Sequence, residues 1–122
     1  MNNPNKAGYN GYTNYETWAL ALHIDNDQNR QEAWYERAVK AFHAANTKAP
    51  GNVFTDVELA TFELVDMLRH EVEECNPLAG DVSEYADILT SAMSCIDYHE
   101  IARGLVNEAL EQSDLDAPVY HV

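Results

Sequence analysis

From Thr13 onward the apolar positions of the chain recur at steps of three and four, and no segment alternates apolar and polar residues over a convincing length. The pattern predicts five helices and no sheet. Thr13 and Glu16 stand in the T-x-x-E arrangement of a capping box, with Asn14 a competing cap one residue later. A short helix over about 14–25 follows, with Trp18, Ala21, Leu22 and then Ile24 or Asp25 on one face. "DNDQN" at 25–29 is a stop and a new start. The second helix runs to about Asn46 and carries Trp34, Ala38, Ala41, Phe42 and Ala45 as its stripe. "TKAPGNVF" is a loop.

Thr55 and Glu58 form a second T-x-x-E box, opening a helix through about Cys75 in which Val57, Thr61, Leu64, Leu68, Val72 and Cys75 share one side. "NPLAGD" ends it. A fourth helix is predicted over about 82–95, capped by Asp81 or Ser83, with Val82, Tyr85, Ala86, Leu89, Ala92, Met93 and Ile96 facing inward. Asp97 and Glu100 start a fifth helix to about Gln112, with Ile101, Leu105, Val106 and Ala109 inward. The expected organisation is a flexible arm over 1–12, in which Tyr9 and Tyr12 are available as anchors, a helical domain over 13–114, and a tail over 115–122 docked by Val119 and Tyr120. The fold class is all-α, a single small bundle with antiparallel neighbours.

The length, 122 residues, suits one core. Charge changes the picture more. Residues 1–50 hold five basic and five acidic side chains, whereas residues 51–122 hold only Arg69 and Arg103 against 16 acids, so the whole net charge of −14 lies in the second part. Such a field repels nucleic acid and lipid headgroups and attracts basic surfaces. A merely solvated acidic face is the alternative. No apolar run approaches a membrane span, and the opening dozen residues carry no secretory pattern, so the expected location is the cytoplasm. Cys75 and Cys95 read as reduced, half-buried small residues, without zinc spacing.

Phosphate-binding, metalloprotease, nucleophile-elbow and EF-hand signatures are absent, so no catalytic residue, metal or cofactor is expected. The nearest metal-like set is His70 with Asp66, Glu73 and Glu74, then His99 with Glu100, and these read as exposed polar faces. Two acidic stripes stand out instead. Asp97, Glu100, Glu108 and Glu111 fall within about 80° of one another on the fifth helix at about 100° per residue. Glu63, Asp66, Glu73 and Glu74, with Asp56, make a similar stripe on the third helix. Neither has a basic residue at i+4 to neutralise it, and like charges at that spacing cost about 0.2–0.5 kcal/mol per pair.

The stretch "YTNYETWALALHIDNDQ" resembles the opening of a family of small uncharacterised proteins of phages, plasmids and their prokaryotic hosts, with the pattern NYETW-x-x-x-L-x-x-x-ND. A second match lies at "YADILTSAMSCIDYHEIARGLVNEAL", where Asp87, Ile88, Leu89, Ala92, Ser94, Ile96, Asp97, Tyr98, Glu100, Ile101 and Ala102 fit. The resemblance implies a mobile-element setting and no catalytic activity. Together these readings lead to a non-enzymatic acidic accessory protein that binds a basic protein surface, that of a nucleic-acid-binding or host-defence protein, in the manner of a DNA mimic, with the eight acids of the two stripes as the contact residues. The alternatives are a small-ligand or metal-binding module around Tyr15, Trp18, Trp34 and Tyr98, and a structural homodimer. Thr13, Asn14, Tyr15, Glu16 and Trp18 read as a helix start and apolar wedge rather than a reaction centre.

Overall fold

The computed structural model describes residues 8–45, 51 and 53–116. The first seven residues of the expected arm and the tail residues Val119 and Tyr120 lie outside these. Five helices follow one another: α1 (Tyr15–Asn26), α2 (Gln28–Ala45), α3 (Asp56–Glu74), α4 (Glu84–Met93) and α5 (Tyr98–Asp116), with no strand among the described residues. The fold is all-α, and α5 runs a full turn further than Gln112.

Three of these helices, α2, α3 and α5, pack against one another, and α1 lies across α2 and α5. Their seam is filled by Trp34 and Ala38 of α2, by Ala60, Leu64 and Leu68 of α3, and by Ile101, Ala102, Leu105, Val106 and Ala109 of α5. Alanines at four of these sites let the helices approach closely around the one large ring, Trp34. The single polar group of α3 in this seam, the Thr61 hydroxyl, donates to the Val57 carbonyl at 2.7 Å and so carries no unmet donor.

Each helix boundary has a local cause. Asp27 alone separates α1 from α2: its amide donates to the Ile24 carbonyl at 3.3 Å, while its carboxylate accepts from the Arg30 amide at 3.1 Å. The Thr55–Glu58 capping box forms in both directions, with bonds of 3.1 and 2.9 Å. After α3, Asn76 caps a turn through its side chain to the Leu78 amide at 2.8 Å, and Gly80 takes the left-handed φ of +85° that a side chain would resist. Ser83 accepts from the Ala86 amide at 3.1 Å and so starts α4 at Glu84, two residues later than the apolar pattern suggests.

Several expected inward positions point outward. On α1 the buried residues are Thr17, Ala21 and Ile24, and Trp18 is only half-buried beside them. Cys75 and Cys95 are both free and exposed, the first because α3 ends at Glu74 and the second because it sits in the turn after α4. The largest departure is α4. Only Ala86 is buried, whereas Tyr85 and Ile88 are 68% and 65% exposed and Val82 is fully exposed. The helix makes no extended contact with another helix among the described residues, and the outer part of its apolar stripe is left exposed.

This division predicts contrasting mutational costs. Leu64→Ala removes a fully buried side chain between three helices and is expected to cost about 2–5 kcal/mol in urea unfolding. Ile88→Ala is expected to change stability by no more than about 0.5 kcal/mol.

Candidate functional site

The two stretches that resemble the uncharacterised family meet in space, at the start of α1 and the junction of α4 with α5. Asn14 is the N-cap of α1: its Oδ1 accepts from the Thr17 amide at 2.9 Å and from the Thr17 hydroxyl at 2.6 Å. Its Nδ2 donates to the Cys95 carbonyl at 2.7 Å. The Thr17 hydroxyl, fully buried, in turn accepts from the Asp97 amide at 2.9 Å. One amide side chain and one hydroxyl thus cap α1 and tie it to the residues that begin α5. The Thr13–Glu16 capping box does not form, because Asn14 takes the capping role. Thr13 instead donates its amide to Glu100 Oε1 at 3.1 Å, a second link between the same two segments.

In front of this joint the chain makes a tight turn. Asn10 and Gly11 both take positive φ, 47° and 90°, and Tyr9 and Tyr12 exchange backbone hydrogen bonds of 2.8 and 2.7 Å. This is the geometry an Asn-Gly pair favours in a two-residue hairpin, so the last part of the expected arm is an ordered turn whose signal was the dipeptide itself. Gly8 has no room for a side chain: a methyl there would collide with the Thr13 carbonyl. The turn carries the Tyr9 ring to 5.1 Å from Tyr15, edge-on, and to 4.9 Å from Trp18. Tyr15 and Trp18 lie 5.6 Å apart, so the three rings form a surface cluster rather than a wedge in the core.

The aromatic pocket expected from Tyr15, Trp18, Trp34 and Tyr98 is not assembled. Trp34 is fully buried under the Arg37 guanidinium, 4.4 Å from its ring, and its indole N–H has no hydrogen-bond partner among the described residues. Tyr98 lies elsewhere, with the Arg69 guanidinium 5.3 Å from its ring, in a cleft it shares with Glu73 and Met93. Among the described residues no group of three or more His, Cys, Asp or Glu side chains is placed to hold a metal ion.

The eight acids of the two stripes have different fates. On α5, Asp97 Oδ1 accepts from the Glu100 amide at 3.1 Å, Glu100 serves Thr13, and Glu108 Oε1 accepts from the Tyr35 hydroxyl at 2.8 Å. Glu100 and Glu108 border a small cavity of about 40 Å³ together with Tyr12, Ala21 and Asp25, against α1. Glu111 alone of this set is exposed without a partner among the described residues. On α3, Asp66 has a long ion pair with Arg69, 3.9 Å, while Glu63, Glu73 and Glu74 are exposed with no cation at ion-pair distance among the described residues. Glu63 borders a groove with Arg37 and Lys40, and Glu73 borders the Tyr98 cleft. Acids of the two stripes thus border different hollows, Glu100 and Glu108 the one against α1, Glu63 and Glu73 those beside α2 and Tyr98. An acid outside both, Glu71, binds Arg30 at 3.1 Å and Arg37 at 3.3 Å and clamps α2 to α3.

Burial, and then the hydrogen bond and charge of Glu108, hold the Tyr35 phenol above its ordinary range. Burial and the charge of Glu73 raise that of Tyr98, with Arg69 opposing.

The joint and the turn sit on a small all-α fold. The chain belongs to the family of unknown function DUF7249, which it matches over residues 5–112, from ahead of the Asn-Gly turn to near the end of α5. No curated protein and no solved structure matches it.

Two outcomes follow from this geometry. Thr17→Val keeps the shape but leaves the Asp97 amide unpartnered, so it is expected to destabilise by about 1–3 kcal/mol in denaturant unfolding, and Asn14→Ala by a similar amount. Because the native phenols of Tyr35 and Tyr98 lose their protons later than in the unfolded chain, their contribution to stability is complete below about pH 10 and is lost as pH rises through their native values. Phenolate absorbance is expected to contain a late-titrating component that shrinks in Tyr35→Phe.

Proposed function

We propose that this protein is a non-enzymatic, acidic accessory protein of a mobile genetic element that binds and blocks a basic surface on a host nucleic-acid-binding or defence protein in the cytoplasm. The observation that carries this reading is the state of the acids on α3: Glu63, Glu73 and Glu74 are exposed with no cation at ion-pair distance among the described residues, within a segment that holds 16 acids and two arginines. Charges left unpaired at close helical spacing cost stability and return it only when a cation is brought to them. The acids of α5 contribute differently, since Asp97, Glu100 and Glu108 have internal hydrogen-bond partners and Glu111 is the one left to meet a partner. The same field disfavours nucleic acid and anionic lipid as direct ligands. No described helix is long and apolar enough to cross a membrane. The resemblance of the NYETW and IDYHEIA stretches to phage and plasmid proteins supports the mobile-element setting.

The test is competition: the protein is titrated into complexes of duplex DNA with purified basic nucleic-acid-binding proteins of a host, at several salt concentrations. Displacement from at least one of them, weakening steeply as salt rises, is expected. The triple variant Glu63→Gln, Glu73→Gln, Glu74→Gln is expected to lose about tenfold or more in affinity at low salt. Failure to displace DNA, or an affinity indifferent to salt, would overturn the reading.

A further inference from the structure

A cleft of about 370 Å³ opens where the C-terminal ends of α3 and α4 meet the first residue of α5. That is the size of an ordinary small-molecule site, and the lining is mixed in the way such sites are. Met93 and Ile96 supply apolar surface, while Arg69 and Glu73 of α3, Thr90 of α4 and Tyr98 of α5 bring polar groups to it. Tyr98 is only 8% exposed, yet its hydroxyl has no hydrogen-bond partner among the described residues. Buried phenols ordinarily have one, and the polar groups nearest to this one are those of the cleft.

The two charges of the cleft are held apart. The Arg69 guanidinium lies 5.3 Å from the Tyr98 ring, and its ion-pair partner among the described residues, Asp66, stands at 3.9 Å, beyond hydrogen-bond reach. The ring thus fixes the fork while its N–H donors have no acceptor among the described residues. Glu73 follows one helical turn later, where side chains start about 5–6 Å apart, yet no ion pair joins it to Arg69. Both charges bear on the Tyr98 phenol, in opposite directions.

This pairing selects the ligand. A polyanion such as a nucleotide would meet one arginine in a chain of net charge −14. A metal ion would need a ligand set that the described residues do not assemble. A molecule with a carboxylate and an ammonium on one carbon matches a cation and an anion one turn apart, and an apolar group on the same carbon matches Met93 and Ile96. We infer that this cleft binds a free α-amino acid with an apolar side chain. Its carboxylate sits on Arg69 with the Thr90 hydroxyl as a second donor, its ammonium donates to Glu73 and the Tyr98 hydroxyl, and its side chain lies on Met93 and Ile96. The site goes beyond the binding of a basic protein and shares only Glu73 with the acidic face of α3, so either reading can fail while the other stands.

The probe is L-leucine, titrated into the protein by calorimetry beside isocaproate, which lacks the amine, and isoamylamine, which lacks the carboxylate. Leucine is expected to bind with a Kd of about 1 mM or tighter, and each half-ligand about tenfold or more weakly. Arg69→Gln and Thr90→Val, both at exposed positions and verified by an unchanged melting temperature, are expected to weaken leucine about tenfold and about threefold, with Arg69→Lys between them. Glu73→Gln is expected to weaken leucine and not isocaproate. Glu63→Gln with Glu74→Gln leaves leucine binding within about twofold, and Arg69→Gln leaves the competition with DNA intact. Amide shifts in NMR spectra are expected to concentrate on the residues of the cleft. No binding of leucine, isoleucine, methionine or phenylalanine would overturn the inference, as would equal binding of either half-ligand or equal binding by Arg69→Gln.

Discussion

The buried hydroxyl of Thr17 is the point on which the arrangement of the helices turns. A hydroxyl sealed from water has to find both a donor and an acceptor nearby, and here these come from opposite ends of the domain: Asn14 Oδ1 on one side and the Asp97 amide on the other. Because Asn14 also holds the Cys95 carbonyl, the start of α1 and the start of α5 are fixed to each other in position and in direction. With that corner set, α5 runs back through the bundle between α2 and α3. The ten residues of α4, which end at the same corner, are left to project from it. The exposed stripe on α4 is thus a consequence of how tightly its neighbour is anchored.

Much of this architecture is legible in the sequence because it is local. The Thr55–Glu58 box, the Ser83 cap, the break at Asp27 and the inward face of α5 all follow from spacing that a chain segment carries by itself. What spacing does not carry is whether a given apolar stripe has a partner. On α1 the expected Ala21 and Ile24 are buried, but Thr17 takes the core place expected of Trp18, since the polar joint orients the helix by its hydrogen bonds rather than by its largest ring. On α4 the period is correct, yet among the described residues Tyr85 and Ile88 stay exposed. Thr17 itself, a polar residue inside an apolar run, gives no sign of its role until the Asp97 amide is placed opposite it. The Asn-Gly turn was readable from the dipeptide and is obscured only by the polar composition around it.

The acids divide along the same line. Three carboxylates of α5 and Glu71 of α3 are spent on amides, a phenol and two guanidinium groups, so they act as fasteners. Their helical spacing is indistinguishable from that of the unpaired acids on the outer face of α3, because the partners of Glu71, Glu100 and Glu108 lie 34 to 87 residues away. A charge stripe is a local property, whereas its neutralisation is a tertiary one. The protein consequently presents two dissimilar surfaces. One carries exposed carboxylates along α3, and the other an exposed apolar stripe along α4.

The turn ahead of α1 separates exposure from tolerance. Gly8 is on the surface, yet the carbonyl of Thr13 occupies the space where any side chain would begin. A substitution there would push the strand off Thr13, swing Tyr9 away from Tyr15 and Trp18, and tug on the amide that Thr13 gives to Glu100. A survey of tolerated replacements ordered by burial alone would rank this position among the most permissive. The path of the backbone makes it one of the least.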